Sequence, residues 1–342
     1  MEGAPQKEFF EIIKRQLPTG SSLVTSIAKT LSMSESGAYK KITNIAKFSF
    51  EEVIILCKNY GVSFDSFTSD ADKSLSPYFF YSDTIRYEPR SYNEFLAGFL
   101  ESSQMLDRTR ENYRVSTFVN EVPMMHYLQF PFLLYFKLFA WNRTNWKIKR
   151  YGRDYNQSHY FDDVELTRTV RKLQDHYDSY DSVDIWNKQI FTNTMQQLNY
   201  YIKAGVFQSK DQIYAVFNDL KKLFRHLKDV AEKGKKISFS SGQQKSDMKI
   251  YFNEVVISSE IIYVTKDDYR IVYHAYDTPN YIRTDDPRVC DHMEGWLEKV
   301  INQSILISGQ GERERDQTFK AFEKELEHYG EKLDAYVKAY YD

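Results

Sequence analysis

The chain has 342 residues, 42% hydrophobic and 27% charged, with a formal net charge of -2. That balance excludes a disordered or fibrous chain, and the near-neutral charge excludes whole-molecule attraction to nucleic acid, leaving only a local patch for any such contact. The length exceeds what one compact core usually organises, so a small domain and a larger one are expected.

From Lys7 to Leu17, the apolar positions Phe9, Phe10, Ile12, Ile13 and Leu17 share one helical face before Pro18 and Gly20 punctuate the chain. Ser21 or Ser22 can cap a second helix carrying Leu23, Ile27, Ala28 and Leu31, which ends in a tight turn at Ser32-Met33-Ser34. Ser34 can cap a third, with Ala38 and Ile42 facing inward and Glu35, Ser36, Tyr39 and Lys40 facing outward. Ser49 and Glu52 cap a fourth, whose apolar side is Val53, Ile54, Leu56 and Cys57 and whose end is Gly61. Val62, Phe64 and Phe67 are expected to close a small core.

The run SIAKTLSMSESGAYKKI followed by SFEEVIILCKNYGVSFDSF, about Ser22 to Phe67, resembles the Cro and lambda-repressor type of helix-turn-helix domain. In that family the third helix reads bases and its surroundings grip phosphate. The resemblance makes Ser34, Ser36, Tyr39 and Lys40 candidate base contacts, and Lys41, Asn44 and Lys47 candidate phosphate contacts. One departure is that Thr43-Asn44-Ile45 stands where the family often has an acidic residue and a glycine. Against the reading stands Gly37 inside the third helix, which costs about 1 kcal/mol relative to alanine.

Thr68 to Pro77 is small, polar and ended by proline, and is read as the linker. Beyond it, Tyr92 to Leu106 reads as a helix and Tyr113 to Val119 as a strand. The aromatic stretch from Val122 to Trp141 resembles one found in helix-turn-helix regulators of the Bacteroidetes kind, whose large C-terminal region has no assigned chemistry. Its physical reading is a buried helix starting at Pro131, with a ligand-cavity wall as the alternative. Arg143, Lys147, Lys149, Arg150 and Arg153 follow among Trp146 and Tyr151, a solvated edge in preference to a nucleic-acid contact. Long helical patterns run from Ser182 to Ala204 and from Ser209 to Lys233, suiting a helical hairpin. Alternation over Lys249 to Ile257, Ile261 to Thr265 and Tyr269 to Tyr276 predicts a small antiparallel sheet, and helices from about Asp286 to Gln303 and Glu312 to Tyr340 finish the chain.

The expected fold is therefore mainly α with a smaller α+β part. A five-helix helix-turn-helix domain over residues 1–70 is joined to a larger helical domain over 71–342 that contains the sheet. The larger domain is divisible into a helical part, 79–235, and an α+β part, 245–342.

Chemistry is sparse in the sequence. The histidines are scattered, and Cys290-Asp291-His292 lacks a partner set at zinc-like spacing. Gly309-Gln310-Gly311 lacks the third glycine of a nucleotide loop and reads as a helix-entry turn. No Walker lysine motif occurs and Ser308 has no nucleophile-elbow context, so neither an enzyme nor a cofactor or metal is expected. Two cysteines, Cys57 and Cys290, and the lack of a recognisable export segment lead us to expect a cytoplasmic protein. The most apolar stretch, Tyr127 to Trp141, is short and broken by Gln129, Pro131 and Lys137, so no membrane partner is expected. The reading that follows is a transcription regulator on double-stranded DNA, a homodimer under control of an unidentified small-molecule or peptide effector. The alternative is a protein- or peptide-binding module with a vestigial DNA face.

Overall fold

The computed structural model describes residues 5–17, 20–64, 80, 88–106, 113–255, 260–267 and 269–341. The chain divides into two compact units, Met1–Phe80 and Tyr81–Asp342. The anticipated linker, Phe67 and any fifth helix of the first unit lie outside the described residues.

Four helices are described in the first unit: α1 Pro5–Gln16, α2 Leu23–Thr30, α3 Glu35–Ile42 and α4 Phe50–Tyr60. Their ends follow the capping chemistry of the sequence. Ser22, Ser34 and Ser49 each sit in extended conformation and accept a backbone amide of the following turn, replacing bonds that the first turn of a helix cannot make for itself. Ser49 and Glu52 complete a reciprocal capping box, and Gly61 stops α4 in the left-handed region at φ 64°, where a side chain would be strained. The core joins Phe9, Phe10 and Ile13 of α1 to Ile27 and Ala28 of α2, Ala38 of α3, Leu56 of α4 and Val62.

The second unit is built on one eight-stranded mixed sheet. Its elements in chain order are α5 Tyr92–Leu106, β1 Tyr113–Phe118, α6 Met124–Tyr127, α7 Pro131–Trp141, α8 Ser158–Phe161, α9 Val164–Tyr177 and β2 Asp181–Trp186. They continue with α10 Thr192–Lys203, α11 Lys210–Lys233, β3 Lys235–Ile237, β4 Gln244–Phe252, β5 Ile261–Lys266, β6 Tyr269–Asp277 and β7 Asn280–Thr284. The unit ends with α12 Pro287–Asn302, β8 Ile305–Leu306 and α13 Glu312–Tyr341. The order across the sheet is β3-β4-β2-β1-β5-β6-β7, with β8 also on β4. β1, β2 and β4 are parallel neighbours, whereas β5, β6 and β7 continue from β1 as an antiparallel meander.

Three expectations are corrected here. The sheet is not a small antiparallel one, because three parallel strands form one half of it. Residues Asp181–Trp186 are strand, not helix: a parallel strand covered on both faces shows no clean alternation, and Ser182 to Trp186 are all buried. Nor do 79–235 and 245–342 fold apart, because β1 and β2 pair directly with β5 and β4.

The two faces of the sheet are covered differently. On one, α12 packs Cys290, Leu297 and Val300 against Phe118, Ile185, Ile261 and Val272. On the other lies a thick helical layer in which α7 is buried from Leu133 to Trp141, with Pro131 at the helix start, where its missing amide costs no hydrogen bond. α11 runs against α7 and α13, and α10 against α13. No described helix is long and apolar enough to cross a membrane.

Candidate functional site

Organised polar groups are present in both units. In the first unit, α2 and α3 pack together across the four residues Leu31 to Ser34, and Thr25 of α2 donates to Glu35 of α3 at 2.7 Å. Ser36, Tyr39 and Lys40 are exposed, and their spacing of three and four puts them on one face of α3. Ser34 sits at the entry to α3 with its Oγ accepting from the Gly37 amide at 3.1 Å, so the hydroxyl is engaged as a helix cap.

The residues assigned to phosphate contact differ among themselves. Lys41 is turned toward the protein: its Nζ donates to Glu52 at 2.7 Å and to the Lys47 carbonyl at 2.9 Å, and lies 5.1 Å from the centre of the Phe48 ring. Lys47 is exposed and donates to the Asn44 side chain at 2.7 Å. Asn44 adopts φ 65°, a left-handed conformation that asparagine tolerates better than most residues. It thus takes the place of a glycine at the end of α3, and the amides of Ile45 and Ala46 both return to the Lys40 carbonyl.

In the second unit, a cleft of about 590 Å³ opens at the carboxyl ends of the parallel strands. β1 is the strand at which the order reverses, its successors running outward through β2 and β4 on one side and β5 to β7 on the other. Open α/β sheets leave a crevice at such a switch point. Glu121 stands just beyond β1, Glu260 just before β5, and Thr278 in the turn between β6 and β7; all three line the cleft. The wall opposite comes from α7 and the turn after it, with Trp141, Arg143 and Thr144, and from α10, with Asn193, Gln196 and Gln197.

Glu121, in the lining of the cleft, forms an ion pair with a lysine buried behind it. Lys137 is fully buried and reaches Glu121 and, at 2.7 Å, the Gln197 side-chain oxygen. Thr194 also donates to Glu121, at 2.7 Å. Burial pushes the Lys137 ammonium below its usual range, and Glu121 works against that shift. Glu260 accepts from Thr278 at 3.1 Å. Burial, then the charge of Glu121, raises its carboxyl above the ordinary glutamate value.

A second polar cluster lies beneath the sheet surface and is closed. Asp184 of β2 accepts from Thr117 of β1 at 2.6 Å and from the Trp186 indole at 3.3 Å, and faces His126 of α6. Nearby, Lys236 donates to the carbonyls of Tyr177 and Tyr180 at 2.5 Å and sits 3.7 and 4.0 Å from their ring centres. Burial pulls its ammonium down to about 7. Among the described residues no group of three or more His, Cys, Asp or Glu side chains could hold a metal ion.

No family model matches the chain, and no curated protein or solved structure matches it significantly.

The cleft was not visible in the sequence as a site. Glu260 is far along the chain from Glu121 and Lys137, and Arg143 read as part of a solvated basic edge. One signal was present: Lys137 interrupts an otherwise apolar helix, and a charge in such surroundings requires a partner.

Proposed function

We propose that the protein is a transcription regulator that binds double-stranded DNA through α3. The observation that carries the reading is the exposed face of Ser36, Tyr39 and Lys40 on a helix that follows α2 after a four-residue turn, the arrangement in which a second helix enters the major groove. Lys47, exposed in the segment between α3 and α4, adds a positive charge beyond the end of α3, while Ser34 orients the helix start. A homodimer on paired half-sites and an effector acting through the second unit complete the proposal, since two half-sites raise the modest affinity of one small domain.

The test is enrichment of fragments of the source genome by the purified chain across a salt series, beside a Tyr39→Ala, Lys40→Ala variant. Fragments retained at about 150 mM salt by the native chain and lost by the variant are the expected result. Equal retention by both would remove α3 from the interface.

A second reading, a protein-interaction module, draws on Ile45 and Phe50, which are 72% and 64% exposed beside α3 and α4. It predicts that the same double variant leaves partner capture unchanged.

A further inference from the structure

The cleft of the second unit has an unbalanced floor. Two carboxyl groups, Glu121 and Glu260, line it, and the one buried ammonium beside them, that of Lys137, is paired with Glu121. Lys137 is committed to Glu121 and Gln197, so Glu260 faces the cavity with Thr278 as its side-chain partner. Among the described residues no cation is paired with this partly buried carboxylate; such a group is costly, and a positive group placed against it removes that cost. The surrounding lining suits a polar guest. Asn193 and Gln196 of α10 offer amides, Thr144 a hydroxyl, and Trp141 and Tyr201 flat aromatic faces. The volume of about 590 Å³ lies within the range of small-molecule sites.

We propose that this cleft binds a small polar ligand carrying a primary ammonium group, which docks between Glu260 and Glu121 while the α10 amides hold its remaining polar atoms. Arg143 stands at the exposed rim, so it opposes the entry of a cation and sets the affinity from a distance. A metal ion fits less well, because among the described residues two carboxyls line the cleft and the Lys137 ammonium already sits against one of them. The proposal stands independently of DNA binding.

The experiment is calorimetric titration of the full chain with glucosamine and cadaverine, each beside its uncharged counterpart, glucose and pentanediol. At least one amine should bind saturably and its counterpart should not. Glu260→Gln should weaken the amine by at least tenfold, about one decade in the dissociation constant, with the thermal transition retained. Arg143→Glu, a change at an exposed position, should tighten it severalfold and supplies the charge test if the glutamine variant does not fold. Saturation by neither amine, equal binding of the uncharged counterpart, or a folded Glu260→Gln or Arg143→Glu chain with native affinity would each overturn the proposal.

Discussion

His126 Nε2 lies 2.8 Å from Asp184 Oδ2, a contact between two side chains that are 4% and 3% exposed. It pins α6 to the centre of the sheet, and Asp184 is further satisfied by Thr117 and Trp186. Removing a carboxylate from such a set strands several buried donors at once. Asp184→Ala should therefore lower unfolding stability by roughly 3–5 kcal/mol, read as a lower urea midpoint with an unchanged slope. A loss below about 1 kcal/mol would mean that the cluster behaves as if it were solvent-exposed.

His226 supplies a pH test. It is buried against the rings of Phe130 and Phe239, and burial, then the charge of His126, brings its value from 6.5 down to about 4. The unfolded chain takes up a proton as pH falls through 6.5, while the folded one resists until about 4. Stability contributed by neutral His226 is thus complete above 6.5 and is lost progressively as pH falls to about 4, at up to roughly 1.4 kcal/mol per pH unit. Thermal melts of the native chain and of His226→Phe across that window should diverge, the variant showing the shallower decline. Parallel curves would place the imidazole in contact with water.

Gly311 precedes α13 at the point where the chain leaves β8. A Cβ there would collide with the carbonyl oxygen of Leu306, a backbone atom that cannot swing aside. Gly311→Ala should cost about 1–3 kcal/mol or more, measured by chemical denaturation, whereas alanine at Gly98 meets open space and should be neutral or slightly stabilising within its helix. Equal stabilities of the two variants would contradict the packing at the start of α13.

Lys41 offers a way to separate a structural ion pair from a DNA contact. Glu52→Gln breaks the Lys41–Glu52 pair, whose partners are 20% and 22% exposed, and stability should fall by at most about 1 kcal/mol. The freed ammonium is then available for a phosphate. The slope of log affinity against log salt for DNA should steepen by about one counterion, measured by fluorescence anisotropy. An unchanged slope would show that Lys41 stays out of the interface.

Local chemistry was legible in the sequence, and long-range assembly was not. The caps at Ser22, Ser34 and Ser49, the Gly61 stop and the start of α7 at Pro131 are short-range effects, and each stands where the pattern of residues puts it. β2 was misread because Trp186, Ile190, Met195 and Leu198 mimic a helical stripe across a boundary between strand and helix. Its place between β1 and β4 rests on partners far away in the chain. The base-contact candidates Ser36, Tyr39 and Lys40 are exposed on one helix. The phosphate candidates are mixed, since side-chain pairing of Lys41 with Glu52 is not encoded in the spacing of lysines. The cleft needed the sheet order first, because only the return of β5 to the side of β1 brings Glu260 toward Glu121.

That return also sets a schedule for synthesis. β1 cannot acquire its antiparallel neighbour until β5, ending at Lys266, has been made. At about 5–20 residues per second, an interval on the order of ten seconds separates the emergence of β1 from that of β5. Throughout it, one edge of β1 awaits its antiparallel partner. A newly made chain therefore passes through a stage in which an unpaired strand edge is exposed, and its yield in the cell should depend on chaperones that bind extended segments.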